Sequence, residues 1–290
     1  MKLRAHLFDL NQSLCCGQVF RWEPGNDQWW FGVIYDHVVK IRQDDGELEF
    51  FVSPEIEDPK EIISLYFRLD DDLESIYKRI TKDSYIEEAI ENARGLRLIR
   101  QDPWECMISF IISQNTQIPK IKRSIETIAQ RYGTKLNWDG KDFYTFPTPE
   151  QLSSAKIYEL KEGFDKGGCA LGYRAKYVLS SALLLKNNSL GLSLEEFREM
   201  PYDHAHKILQ ESFCGIGPKV ADCIMLFSMD KLEACPLDTW IRKIILNLYF
   251  KNKKVNDRKI REFCSEYFGE FAGYAQEYLF CNRLKLCQYF

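Results

Sequence analysis

One lysine and one aspartate in the C-terminal part of the sequence have the types and surroundings needed for amine chemistry. Lys219 follows a Gly-Ile-Gly-Pro turn, and Asp238 follows Pro236 and precedes an apolar run. The dipole of a helix N-terminus and apolar neighbours both disfavour an ammonium group, so we expect the pKa of Lys219 to be lowered and its amine to act as a nucleophile. The same residues also fit a simpler interpretation, in which Lys219 is an exposed side chain and Asp238 is an ordinary helix N-cap.

The turn before Lys219 predicts a binding site for an anion. Gly215 and Gly217 flank Ile216 between two apolar helical patterns, so the chain can turn tightly there and expose backbone N–H groups. Pro218 suits the first turn of the next helix, whose N-terminus adds free amides and the positive end of its dipole. A Gly-x-Gly turn is weak support by itself, but a DNA phosphate would fit this site.

The composition is that of a folded protein with a sizeable core. Of the 290 residues, 45% are hydrophobic and 14% are aromatic, which excludes a disordered chain. The formal net charge of −4 argues against a protein that coats DNA non-specifically, because that mode of binding depends on many Lys and Arg side chains.

The apolar segments predict where the protein works. The first residues lack the apolar core of a signal peptide, and no later apolar run approaches about 20 residues. We therefore expect an intracellular monomer without a membrane partner, located in the cytoplasm or nucleoid of a bacterium or in the nucleus of a eukaryote.

The cysteines do not predict a metal site. The sequence has ten of them, mostly in apolar helical surroundings, which is typical of reduced thiols in an intracellular protein. Cys281 and Cys287 form no Cys-x-x-Cys pair, so an iron–sulfur cluster is not supported. We expect no metal and no cofactor.

The hydrophobic pattern predicts an α+β fold. From Gln18 to about Ser53 the period is near two, and turns at residues 25–27 and 44–46 separate the runs. This pattern indicates a twisted antiparallel sheet of four or more strands, the first beginning near Gly17. From about Lys60 the period is helical, so we divide the chain into a sheet domain with flanking helices at residues 1–95 and a two-lobed, mainly helical region at residues 96–290.

Start and stop signals place several helices. Asp102 and Pro103 supply a cap and a first-turn proline for a strongly apolar, and therefore central, helix that runs to Ser113. Further helices are predicted over residues 118–132, 151–160, 173–186, 256–268 and 271–285, and the two helices around the glycine turn fall at about residues 205–230.

Two motifs together resemble those of DNA repair enzymes. A hairpin followed directly by Lys219, with Asp238 after Pro236, resembles the helix-hairpin-helix Gly/Pro-Asp superfamily of DNA glycosylases. In that superfamily the lysine marks members that cut by an amine mechanism, and the aspartate is the essential carboxylate. The N-terminal run Cys-Gly-Gln-Val-Phe-Arg-Trp, which contains Gly17, resembles the 8-oxoguanine DNA glycosylase family, whose glycine carbonyl accepts the N7 hydrogen that 8-oxoguanine has and guanine lacks.

The resemblance implies how a flipped base is bound. The segment from Gly273 to Phe280 resembles the C-terminal segment of the family, on a base-pocket helix at residues 271–286. There Gln276 would read the Watson–Crick edge of the base, Phe280 would stack on it, and Cys223 would lie on the other face. Gln276 and Phe280 are an i, i+4 pair, so one helical face can present both to one pocket.

The resemblance also implies contacts with the rest of the duplex. Asn115, in Ser-Gln-Asn-Thr-Gln-Ile, would enter the space that the flipped base leaves. Tyr173 would wedge beside the estranged base and Arg174 would hydrogen-bond to it. The sequence departs from the family in three places. Lys120 stands where eukaryotic members carry an arginine that contacts cytosine, Thr116 replaces an asparagine, and Trp240 stands where those members have a histidine that contacts a phosphate.

The resemblance covers about residues 7–286 and implies a bifunctional DNA glycosylase and β-lyase that acts on 8-oxoguanine in duplex DNA. Two alternatives remain open at the level of the sequence. A monofunctional glycosylase for alkylated bases would use the same scaffold, with Lys219 merely structural. A non-catalytic DNA-binding protein would use the hairpin as a phosphate clamp, but this would leave Gln276, Phe280 and Asp238 without a purpose.

Overall fold

A five-stranded antiparallel sheet occupies the N-terminal part of the chain in the computed structural model, which describes residues 1–286. The strands are β1 (Lys2–Arg4), β2 (Glu23–Pro24), β3 (Trp30–Ile34), β4 (His37–Asp44) and β5 (Glu47–Ser53), in the order β1-β5-β4-β3-β2 across the sheet. A short helix, α1 (Leu10–Cys15), follows β1. The predicted antiparallel sheet is confirmed, whereas β1 and α1 are elements that the pattern does not predict.

The buried face of the sheet follows from alternation along its strands. Ile41 in the central strand β4 pairs with Trp30 on one side and Phe50 on the other. Ile41 and Phe50 are fully buried, and Ile63 of helix α2 (Pro59–Tyr66) belongs to the same apolar core. One face of the sheet therefore packs against α2.

The segment from residue 17 to residue 22 is irregular, so the prediction that the first strand begins near Gly17 is wrong. The side-chain amide of Gln18 donates to the carbonyl oxygens of Ser13 at 2.8 Å and Arg97 at 2.9 Å. Its amide oxygen accepts the backbone N–H of Ile99 at 2.8 Å. Buried backbone groups need hydrogen-bond partners, and here a side chain supplies them instead of a neighbouring strand.

Helices dominate the remainder of the described residues. They are α3 (Leu73–Ile80), α4 (Ser84–Asn92), α5 (Pro103–Ser113), α6 (Ile118–Tyr132), α7 (Pro149–Leu152), α8 (Ile157–Lys161), α9 (Ala175–Lys186), α10 (Tyr202–Ser212), α11 (Pro218–Ser228), α12 (Thr239–Leu248), α13 (Asp257–Phe268), α14 (Ala272–Cys281) and α15 (Arg283–Leu286). Strands β6 (Lys135–Trp138) and β7 (Lys141–Tyr144) form a small hairpin that the pattern does not predict. A sheet followed by helices confirms the α+β fold class.

Local signals place α5 correctly but not the helix predicted at residues 151–160. The Asp102 side chain accepts the Glu105 N–H at 2.7 Å, and α5 runs through the helical core. The segment after Pro149 instead forms the two short helices α7 and α8. The hydroxyls of Ser153 and Ser154 donate to nearby backbone carbonyls at the end of α7, a competing pattern that favours termination of a helix.

Helices α3 and α4 pack against α14 in the helical region. Tyr77 of α3 and Tyr278 of α14 share a hydrogen bond of 2.8 Å, and the Tyr278 hydroxyl also donates to the Leu96 carbonyl oxygen at 2.6 Å. α3 and α4 belong to the core of the helical region although they precede residue 95. The division of the chain at residue 95 stays a prediction.

Within residues 1–286 no helix is both long and apolar enough to cross a membrane.

Candidate active site

The glycine turn joins α10 to α11 and depends on one of its two glycines. Gly215 has a φ of +85°, and a Cβ at this position would lie 2.4 Å from Cδ2 of Tyr177. Glycine is therefore needed there for both its backbone conformation and its small size. Gly217 has an extended φ of −94°, and apart from its chain neighbours no heavy atom of residues 1–286 lies within 4 Å of its added Cβ. Gly217 thus leaves an open surface in front of the α11 N-terminus.

Lys219 extends from the first turn of α11 into the protein rather than into solvent. Its Nζ lies 5.3 Å from the centroid of the Phe110 ring, on the central helix α5. Cys223 lies one turn further along α11 and is buried. The amine therefore lies near an aromatic ring and interacts with a buried thiol.

The pKa of Lys219 is raised above its usual value, so the prediction of a lowered pKa is wrong. Burial does lower the pKa, as expected, but the neighbouring Cys223 and the charges of Asp238 and Asp222 outweigh it. Burial also raises the pKa of the Cys223 thiol to about 11, against the opposing effect of Lys219. Before any attack, Lys219 is thus an ammonium ion that has to lose a proton.

Asp238 is the N-cap of α12. Its carboxylate accepts the backbone N–H of Ile241 at 2.7 Å, as the N-cap interpretation predicts. It is only half-buried, and it reaches the same cavity as Lys219. Capping and participation in the site are therefore compatible, because one oxygen can hold the helix while the carboxylate charge faces the cavity.

One cavity brings together all six residues for which catalysis or base binding is predicted. It has a volume of about 60 Å³, and α5, α11, α14, the α12 N-cap and the irregular segment after α1 supply its walls. Its lining residues are Gly17, Gln18, Phe110, Lys219, Cys223, Phe227, Pro236, Asp238, Gln276, Glu277 and Phe280.

The polar groups of the cavity suit a planar ligand. The amide oxygen of Gln276 is buried and has no hydrogen-bond partner among residues 1–286. A buried amide without a partner is costly, so it is poised to bond to a ligand. Gly17 has a φ of +106°, and a Cβ there would lie 3.7 Å from Cε1 of Phe280. Gly17 and Phe280 therefore face each other across the cavity.

The cavity is too small for a ligand of drug or nucleobase size. Ligand pockets typically measure about 300–1,000 Å³, several times the 60 Å³ of this cavity. The guanidinium carbon of Arg283 lies 4.3 Å from the centroid of the Phe280 ring. A base can therefore enter only if the walls of the cavity move apart.

The loop around Asn115 is exposed and is tied to the glycine turn. Asn115 has a φ of +47° and an exposed side chain. The Gln114 amide donates to the Gly215 carbonyl oxygen at 3.0 Å. Arg174 is buried, and its guanidinium donates to the backbone carbonyls of Gln114 and Asn115. Arg174 thus holds the Asn115 loop in this conformation.

The other predicted DNA contacts lie on the surface. Tyr173 is 49% exposed, and its ring lies 4.6 Å from the guanidinium carbon of Arg174. Lys120 on α6 and Trp240 on α12 are also exposed. These side chains lie outside the cavity, at the surface that a duplex would have to approach.

Two features of the site have no counterpart in the prediction. Glu277 lines the cavity and is only 3% exposed, although its sequence neighbours give no sign that a charged residue here is buried. Gln114 connects two loops that are far apart in sequence.

Within residues 1–286 no three His, Cys, Asp or Glu side chains lie close enough together to hold a metal ion, and Cys287 lies outside the described residues.

The arrangement defines a helix-hairpin-helix DNA repair protein, and comparison with known families agrees. Residues 108–270 match the family model of the HhH-GPD superfamily of base excision DNA repair proteins. Residues 1–107 match the N-terminal domain of 8-oxoguanine DNA glycosylase. The chain belongs to the 8-oxoguanine DNA glycosylase family.

Individual relatives cover most of both chains. A probable N-glycosylase/DNA lyase of Methanothermobacter thermautotrophicus is 34% identical over 260 residues, which span 83% of this chain and 81% of the relative. The N-glycosylase/DNA lyase OGG1 of Arabidopsis thaliana is 32% identical over 283 residues, or 92% of this chain and 75% of the relative. The 8-oxoguanine glycosylase/lyase of Clostridium acetobutylicum, solved with double-stranded DNA containing cytosine opposite 8-oxoguanine, superposes with a TM-score of 0.87 at 36% identity and covers 96% of this chain and 92% of that one.

Proposed function

We propose that the chain is a DNA base excision repair enzyme that removes 8-oxoguanine from duplex DNA and nicks the strand as a β-lyase. The observation that carries this proposal is a single cavity lined by an amine, a carboxylate and a base-binding set. Lys219 and Asp238 face the same space as Gln276 and Phe280. A glycosylase needs the reacting groups beside the flipped base, and this arrangement meets that need.

Base recognition in the proposed mechanism begins with opening of the cavity. The flipped base enters between Phe280 and Cys223, and the amide oxygen of Gln276, which lacks a partner among the described residues, accepts a hydrogen bond from its Watson–Crick edge. The Gly17 carbonyl accepts the N7 hydrogen of 8-oxoguanine. Guanine has a lone pair at N7, so two acceptors would face each other, at a cost of about 1–3 kcal/mol.

The chemical steps use Lys219 and Asp238. The Asp238 carboxylate stabilises the positive charge that develops on the sugar as the bond to the base breaks. The neutral Lys219 amine attacks C1′, and the base departs with a proton from the amine. The sugar ring then opens to a Schiff base as its oxygen takes a proton from solvent. Elimination from this Schiff base cuts the strand on the 3′ side of the lesion.

Binding of the duplex relies on the loops around the cavity. Support comes from the open surface at Gly217, the exposed side chains of Asn115 and Tyr173, and the exposed Lys120 and Trp240. The turn with its α11 N-terminus binds a phosphate, and Asn115 fills the vacated position.

Two roles in the proposed complex concern Arg174 and the assembly. Arg174 is bonded to backbone carbonyls, so it has to keep or exchange these bonds when it contacts the estranged base. We also propose that the protein acts as a monomer and inside the cell, where its duplex substrate lies.

Borohydride trapping tests the proposal. A duplex with one 8-oxoguanine is incubated with the protein and borohydride, which reduces a Schiff base to a stable protein–DNA adduct. Wild type and Lys207→Gln, a matched change at an exposed lysine of α10, should form the adduct, and Lys219→Gln should not. Base release without nicking by the wild type would favour a monofunctional glycosylase, and binding without any product would favour a non-catalytic DNA-binding protein.

A further inference from the structure

Glu277 is a buried acid in the cavity wall to which the proposed mechanism gives no role. It follows Gln276 on α14 and lines the same 60 Å³ cavity as Lys219 and Asp238. Its side chain is almost wholly buried, and within residues 1–286 it forms no salt bridge. A buried carboxylate without a paired counter-ion is costly, so such a group tends to take up a proton.

The surroundings of Glu277 put it close to a change of protonation state at neutral pH. Burial raises its pKa to about 7, while the Cys16 thiol and the positive charges of Arg283 and Lys219 lower it and Asp238 raises it. The ionisable groups that interact with Glu277 from the surrounding elements are Cys16 after α1, Lys219 and Cys223 on α11, Asp238 before α12, Cys281 at the end of α14 and Arg283 on α15.

Lys219, which lines the same cavity, has to lose a proton before it can attack. The raised pKa of Lys219 keeps it as an ammonium ion, which has no lone pair for attack. Asp238 is a poor destination for the proton, because one carboxylate oxygen caps α12 and its negative charge is needed beside the developing cation. Another acceptor in the cavity would resolve this conflict.

We propose that Glu277 is the proton acceptor for Lys219, an inference that rests on the function proposed above. When the flipped base excludes water, the proton passes from Nζ of Lys219 to the Glu277 carboxylate, directly or through one ordered water. An N–H bond breaks, an O–H bond forms, and two buried charges become a neutral amine and a neutral acid. Loss of water favours this exchange, because desolvation penalises both charged forms.

The remaining steps return the proton. The neutral amine attacks C1′ as the bond to the base breaks, and one N–H proton of the amine passes to the departing base. The ring oxygen takes a proton from solvent as the ring opens to the Schiff base, while the first proton stays on Glu277. Hydrolysis of the Schiff base at the end of the reaction releases the amine, which recovers the proton from Glu277. Asp238 and Glu277 thus have different roles: Asp238 keeps its negative charge, and Glu277 accepts and returns a proton.

The pH dependence of base release under single-turnover conditions tests this role. Protonated Glu277 cannot accept a proton, so the wild-type rate should rise through the Glu277 pKa of about 7 and then level off. Glu277→Gln should be slower by about 10²-fold near neutral pH, because it loses an acid–base group. Its rate should keep rising at alkaline pH as solvent deprotonates Lys219, and therefore approach the wild-type rate. Glu277→Asp keeps a carboxylate, so it should restore part of the rate near neutral pH and part of the plateau in the pH profile.

A duplex with a preformed abasic site identifies the group on which Glu277 acts. The amine must be neutral to attack this site too, so Glu277→Gln should slow borohydride trapping as well as base release. Slow base release with normal trapping would mean that Glu277 acts on the base, and it would overturn the proposal. An unchanged pH profile in Glu277→Gln would overturn it equally.

Controls separate this outcome from misfolding and from failure of the proposed function. Glu91→Gln makes the same charge change at an exposed position of α4 and should leave both profiles unchanged. Thermal unfolding and binding to an uncleavable duplex show whether Glu277→Gln is folded, and if it is not, the Glu277→Asp profile decides. Absence of trapping in the wild type would contradict the proposed function itself, whatever Glu277 does.

Discussion

The side-chain amide of Gln114 donates to the carbonyl oxygen of Gly215 at 3.0 Å and so connects the Asn115 loop to the turn between α10 and α11. The same amide donates to the Ile111 carbonyl oxygen at 3.1 Å, at the end of α5. Two loops expected to touch different parts of the DNA are therefore held at a fixed spacing. The spacing depends on one residue that touches neither the base nor the reacting sugar in the proposed mechanism.

We expect Gln114→Ala to bind duplex DNA more weakly and to excise more slowly. Each lost hydrogen bond costs about 0.5–1.5 kcal/mol, and the two bonds join elements that must move together. Fluorescence anisotropy with an uncleavable duplex and single-turnover excision measure the two effects. Gln130→Ala, at an exposed position on α6, is the matched control. Equal behaviour of the two variants would show that the link has no role in DNA binding.

Gly17→Ala should impair base release more than it impairs folding. Gly17 has a φ of +106°, and its added methyl would project toward Phe280 in the space that the base must enter. Gly46→Ala is a matched control, because Gly46 has a φ of +75° and nothing within 4 Å of the added Cβ. Both variants should lose about 1–2 kcal/mol of unfolding free energy. Only Gly17→Ala should lose about 10-fold or more in single-turnover base release, and a similar loss in Gly46→Ala would refute a specific role for Gly17.

The two glycines of the turn should respond differently to the same substitution. In Gly215→Ala the methyl would overlap Tyr177, so the free energy of unfolding should fall by about 2 kcal/mol or more. Gly217→Ala has no such overlap, and its stability should change by less than about 0.5 kcal/mol. A phosphate close to Gly217 would nevertheless meet the new methyl, so DNA affinity should drop. Denaturant unfolding and anisotropy measure the two quantities, and unaltered affinity in Gly217→Ala would place the phosphate elsewhere.

Lys120→Arg should sharpen the preference for cytosine opposite the lesion. Lys120 is exposed on α6, and an ammonium group is a point charge without the planar fork with which arginine reads two acceptors at once. We expect the ratio of excision opposite cytosine to excision opposite adenine to be higher in Lys120→Arg than in wild type. Single-turnover excision with each of the four opposite bases measures it. Severe rejection of adenine by the wild type, or equal ratios in both proteins, would show that Lys120 is not the determinant.

Short-range signals in the sequence were sufficient for much of the fold. Asp102 and Pro103 lie beside the helix that they begin, so the start of α5 follows from neighbours alone. The irregular segment after Gly17 does not, because the groups that hold it are the backbone of Arg97 and Ile99, about 80 residues away. An alternating pattern resembles a strand whether or not another strand lies beside it.

The sequence motifs select residues that line one cavity, but they do not predict the electrostatics of that cavity. Motif spacing selects Lys219 and Asp238, whereas the pKa of Lys219 depends on how closely Cys223, Asp238 and Asp222 approach its amine in three dimensions. The burial of Glu277 could not be predicted from the sequence either. Its burial arises from the packing of α14 between other helices, and no local rule marks a glutamate as buried.

The closing of one cavity by residues from both ends of the chain has a consequence during protein synthesis. Gly17 emerges early from the ribosome, Lys219 much later, and Phe280 later still, yet all three line the same cavity. A nascent chain that already contains the hairpin lacks Phe280 and the rest of α14, and therefore one wall of this cavity. The cavity is complete only after residue 280 has been made, so the early and late parts of the chain must both be present before its residues can act together.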